Sequence, residues 1–164
     1  MTSSRRGSVL ISIGGALAVA AYAVWGAVHV LVVNPLAALP GSSLDEIYAA
    51  IADAGQMFSM AWVLGIFGIG VVLAVAAAWV CIATKAPPIV AAAGPLALLV
   101  LGAPAYFMAS FGPGMALADT FMISGRSYSA GHLPLYGISA LAAIAVTVFA
   151  VGAAIRSRYA PATA

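Results

Sequence analysis

Two imidazoles and a set of thioethers hold most of the chemistry that this chain offers. His29 and His132 fall near the same side of the apolar segments, and so do the five internal methionines, Met57, Met60, Met108, Met115 and Met122. Imidazole and thioether are the ligands that select Cu(I) and other soft metals. A copper site is therefore a sensible expectation, with His29, Met57, Met60 and His132 as candidate ligands. Two imidazoles facing one another would also suit a bis-histidine haem. The competing reading is structural: methionine fills irregular gaps and pads adaptable surfaces, and only Met57-Phe-Ser-Met60 repeats at a ligand-like spacing. The default expectation is no cofactor, with copper or haem as alternatives.

The charged residues add little chemistry. Asp119 and Arg126 are spaced to pair with each other, or Arg126 with Asp53. An exposed pair of this kind contributes little stability. There is no nucleophile elbow, phosphate loop, HExxH or CxxC. The single cysteine, Cys81, excludes an internal disulfide. No enzyme is expected.

The elements that must position these residues follow from composition. The 164 residues are 65% hydrophobic and only 6% charged, against roughly a quarter charged in soluble domains. Lipid is the expected solvent for most of the chain. A net charge of +2 is too small to suggest nucleic acid as a partner. A single transmembrane domain is expected: an all-α bundle of four membrane-spanning helices at about 9–33, 57–83, 89–111 and 135–155. Asn34-Pro35 should end the first span, because proline cannot continue the hydrogen-bond ladder. The first apolar run continues well past the small residues that resemble a signal-peptide cleavage site, so a retained span is expected.

Ser43-Leu-Asp-Glu46 reads as a capping box. Leu44, Ile47, Tyr48, Ile51 and Phe58 follow it at helical spacing. An amphipathic helix over 44–56 is expected to run into the second span, continuous or mildly bent near Gly55, and to extend it on the outer side. Pro95 and Pro104 should kink the third span. Residues 112–134 read as a long outer loop with a short helix near 116–123.

Five of the six basic residues (Arg5, Arg6, Lys85, Arg156 and Arg158) fall on one side of this topology. Arg126 and the four acidic residues fall on the other. Positive residues mark the cytoplasmic side, so both termini are expected in the cytoplasm, with the chain in the plasma membrane. Small residues four apart (Gly14/Ala18, Ala61/Gly65, Gly70/Ala74 and Ser139/Ala143) suggest close helix packing.

The functional expectation is a non-enzymatic accessory or structural subunit of a larger membrane complex, docking through its outer face. Alternatives are an outer-face copper or small-ligand binding protein, and an oligomeric channel or small transporter. A membrane-protein partner or a homo-oligomer is expected beside the bilayer. Candidate binding or docking residues are His29, Asp53, Met57, Met60, Asp119, Arg126 and His132, all on the outer side.

Overall fold

The computed structural model describes residues 2–159. It contains α1 (Thr2–Val28), α2 (Asn34–Ala38), α3 (Leu44–Asp53), α4 (Met60–Ala83), α5 (Pro88–Val100), α6 (Gly102–Phe121) and α7 (Leu133–Tyr159). No strand occurs among the described residues. A π-helical turn, His29–Val33, joins α1 to α2, and a 3-10 turn, Ala130–His132, leads into α7. Four helical stretches are long and apolar enough to cross a membrane: Arg5–Ala38, Met60–Ala83, Pro88–Phe121 and Ala130–Arg158. For brevity, the end that holds the 39–59 and 122–132 segments is termed outer, and the end that holds the 84–87 turn inner.

The first helix does not stop at Asn34-Pro35; it runs on to Ala38. The π turn makes this possible. Asn34 N–H reaches back five residues to the His29 carbonyl, and Pro35 then falls in the first turn of α2, where a missing N–H is tolerated. In an unbroken α-helix, Pro35 would leave the Leu31 carbonyl without its donor. The Tyr48 hydroxyl of α3 donates to that carbonyl.

The amphipathic helix and the second long helix are separate, not one rod. Gly55 takes a left-handed φ of +71°. Gln56 N–H bonds the Ile51 carbonyl at 3.1 Å, and Gly55 N–H bonds Ala52 at 2.9 Å. This is the paired closure that ends a helix on a glycine. Ser59 then caps α4, its hydroxyl accepting from Trp62 N–H at 3.2 Å. α3 starts as expected. Ser43 N–H donates to the Glu46 carboxylate at 2.7 Å, and Glu46 N–H donates to Ser43 Oγ at 3.3 Å. The Ser43 N–H and the Ser43 hydroxyl, at 3.0 Å, both donate to the Glu46 carboxylate and hold its carboxyl below the ordinary value. Freed from α4, α3 folds back onto α6: Ile47 and Ile51 bury against Ala116 and Leu117.

The third long helix breaks at Leu101, between α5 and α6. Pro104 explains the position, because its ring excludes a normal bond to the carbonyl of Val100, the last residue of α5. α6 then continues through Gly112-Pro113-Gly114 to Phe121. Much of the expected outer loop is therefore helix, and the irregular connection shrinks to residues 122–129.

α1 packs on α4 and α5, and α7 packs on α5 and α6. Close approach occurs at glycines other than those expected. A Cβ on Gly15, Gly26 or Gly102 would fall 2.4–2.6 Å from Pro95, Phe67 and Tyr22 respectively. Gly14, Gly65 and Gly70 meet nothing within 4 Å. The main core gathers Tyr22, Val30, Val63, Phe67, Tyr106 and Leu135 toward the outer half of the bundle.

Candidate functional site

The polar groups of the outer end converge on the first residue of the π turn. His29 is fully buried, and its Nδ1 shares a 2.9 Å hydrogen bond with the Tyr106 hydroxyl of α6. Around it four rings close a circuit. Ring centroids lie 5.7 Å apart for His29–Tyr106 and 5.6 Å for Tyr106–Tyr136. They are 6.1 Å apart for Tyr136–His132 and again for His132–His29. Three helices thus meet through aromatic edges. Tyr136 reaches this cluster because it lies four residues after His132, on one face of the α7 entrance.

The loop that carries His132 is tied down from α1 and α2. Trp25, one turn before His29, donates its indole N–H to the Gly131 carbonyl at 2.8 Å. Asn34 Oδ1 accepts from Tyr128 N–H at 2.7 Å and from the Ser127 hydroxyl at 3.2 Å. The Ser129 carbonyl accepts from His132 Nδ1 at 2.7 Å, so the proton of the neutral His132 ring sits on Nδ1 and Nε2 is left as an acceptor. Gly131 lies directly against the His29 ring. A Cβ there would fall 2.5 Å from His29 Cδ2, so only glycine lets the loop approach this closely. His29 Nε2 is buried and makes no hydrogen bond.

Beside the ring circuit is a cavity of about 310 Å³. Asn34, Tyr106, Ser110, Arg126, His132 and Tyr136 supply its polar lining, and Phe107, Phe111 and Met115 line it as well. Its volume lies at the lower end of the range for small-molecule sites.

The structure places His29, Arg126 and His132 at or beside this cavity. It sends the other candidates elsewhere. Asp53 and Asp119 are exposed on α3 and α6. Met57 is 83% exposed, and Met60 lines a separate depression with Tyr48, Ile51, Gln56 and Phe58. Asp119 and Arg126 do not pair; the guanidinium lies 5.0 Å above the Tyr128 ring. Among the described residues, no group of three or more His, Cys, Asp or Glu gathers around a common metal position. The two histidines stand edge to face with ring centroids 6.1 Å apart, and Gly131 packs directly against the His29 ring.

Sequence reasoning passed over Trp25, Asn34, Tyr106, Ser127 and Tyr136 as site residues. The spacing Trp25/His29 and His132/Tyr136, each one helical turn, was the available signal. Compared with protein-family models, curated proteins and solved structures, the chain matches none.

Proposed function

We propose that this chain is a non-enzymatic integral protein of the plasma membrane that holds a small molecule at its outer end, with both termini in the cytoplasm. The observation that carries the ligand reading is the polar cavity beside the His29–Tyr106–Tyr136–His132 circuit. Insertion in lipid is supported by the large apolar side chains that the bundle leaves outside. Leu10 is 70% exposed, Val72 67% and Trp79 71%, which water would penalise at roughly 25 cal/mol per Å². The orientation is supported by five basic residues at the inner end against Arg126 at the outer.

The test is a thermal-unfolding screen of the full chain in neutral-lipid nanodiscs against small neutral, cationic and anionic compounds. At least one compound should raise the melting temperature of the native chain and fail to do so for Ser110→Trp, which fills the cavity. No stabilisation by any compound, whatever its charge, would overturn the ligand reading.

A second reading is an accessory subunit docking through its outer face. It is favoured by Met57 and Met122, which are 83% and 90% exposed outside the four long helices. Methionine suits adaptable binding surfaces. Mild-detergent purification should then recover a stoichiometric partner, and a lone monomer would count against it.

A further inference from the structure

We infer that the outer cavity takes a small organic carboxylate with a flat apolar body. This inference rests on the ligand-binding reading above and names its chemistry. Beside the acceptor His132 Nε2, the cavity walls leave mainly cationic and donor groups to offer. Arg126 brings a guanidinium to the lining. Among the described residues it has no carboxylate against it, only the Tyr128 ring beneath it. Asn34 also lines the cavity. Its Oδ1 is occupied by Tyr128 N–H and Ser127 Oγ, so its amide N–H groups are what remain to donate. The Tyr136 hydroxyl is a third donor in the wall. None of the acidic residues, Asp45, Glu46, Asp53 or Asp119, lines the cavity. A wall with a cation and spare donors, and with no competing acid, selects an anion.

Geometry narrows the class further. A guanidinium fork matches the two oxygens of a carboxylate. The apolar part of the wall is aromatic and thioether, Phe107, Phe111 and Met115, which suits a ring that stacks or slots between apolar faces. Inorganic anions would leave that apolar surface unused.

The test uses the full chain in phosphatidylcholine nanodiscs with benzoate as probe, followed by calorimetry and thermal unfolding. Benzyl alcohol, benzylamine, inorganic phosphate and discs doped with phosphatidylglycerol are the comparison arms. Benzoate should bind saturably, at least tenfold tighter than benzyl alcohol, with benzylamine weaker still. Arg126→Gln should weaken benzoate at least tenfold and leave benzyl alcohol unchanged; Arg126→Lys should fall between. Arg126 is exposed, so its variants should keep the native melting temperature. Should Arg126→Gln not fold, the loss of benzoate affinity on raising salt from 50 to 500 mM reads the same charge. Lys85→Gln at the inner end should change nothing.

Equal binding of the alcohol or the amine, or indifference to both Arg126 variants and salt, would overturn the inference while leaving a ligand cavity in place. Phosphate binding as tightly as benzoate would overturn the apolar body. Displacement of benzoate by phosphatidylglycerol would show that the anion is a lipid headgroup and overturn the small-molecule assignment. Silence from every compound would remove the ligand reading itself.

Discussion

The two ends of this bundle hold together by different means. At the outer end, long-range hydrogen bonds stitch distant elements: Trp25 to Gly131, His29 to Tyr106, Asn34 to Tyr128, Tyr48 to Leu31, and Trp62 to Met108. Toward the inner end, Thr84, Thr147 and Ser157 bond carbonyls of their own helices, and contact between helices comes from shape, as where Pro95 seats against Gly15. Both ends keep a buried polar atom without a partner: Ser12 Oγ of α1 toward the inner end, and His29 Nε2 and Thr120 Oγ1 at the outer. Tyr22 marks the boundary, reaching Ser139 at 3.3 Å across the bundle. A region held mostly by close backbone approach and small residues makes little demand on polar side chains. A region that gathers irregular backbone must satisfy every freed N–H and carbonyl, and that need brings polar side chains together.

Substitutions at each end sharpen this contrast. Gly131→Val should have the largest effect, because a branched side chain must enter the space of the His29 ring; destabilisation of about 1–3 kcal/mol is expected from overpacking. Thermal unfolding in detergent, compared with Gly65→Ala at a site open for 4 Å, measures it. If both substitutions cost the same, the close approach at Gly131 carries no weight. Tyr106→Phe should come next. It leaves His29 Nδ1 without its partner and should cost about 1 kcal/mol, read by the same unfolding assay and by faster hydrogen exchange over 122–132.

Glu46→Ala should have a local effect only, with faster exchange in the first turn of α3. Its pH dependence has a definite sign. The folded carboxyl titrates below the ordinary value of 4.5 because Ser43 bonds its charged form. The stabilisation is therefore complete above about that pH and is lost as pH falls through the lower folded value. Exchange of the α3 amides, corrected for intrinsic rates, should rise in acid for the native chain and stay level for Glu46→Ala. Ser12→Ala should have the smallest effect and the opposite sign, from no change to a gain of about 1 kcal/mol, because it removes a buried hydroxyl with no partner. A clear loss would mean that the inner end depends on polar contacts after all.

The site was partly legible because its residue types are scarce. With two histidines in the whole chain, their placement at one end stood out. Tyr106 and Tyr136 did not, because an aromatic near a span end is the ordinary pattern of a membrane interface. In sequence, Asn34-Pro35 reads as a stop signal, because proline cannot continue the hydrogen-bond ladder. The π turn changes the register, so the helix survives and Asn34 becomes the anchor of a distant loop. Met57 and Met60 share an outer location with the histidines in sequence, but the turn at Gly55 sends α3 toward α6 and leaves Met57 exposed.

Sequence alone determined four long apolar helical stretches, the capping box at Ser43, the charge asymmetry and the polar character of one end. These are local or compositional: hydropathy over some twenty residues, one turn of spacing, a count of charges. The tertiary structure decided where the rods break and which polar groups meet. It separated α3 from α4, carried α6 out to Phe121, and closed His29, Tyr106, Tyr136 and His132 into one circuit. The physical reason is that each break leaves backbone groups that need partners, and the partner that arrives depends on how helices far apart in sequence come to lie side by side.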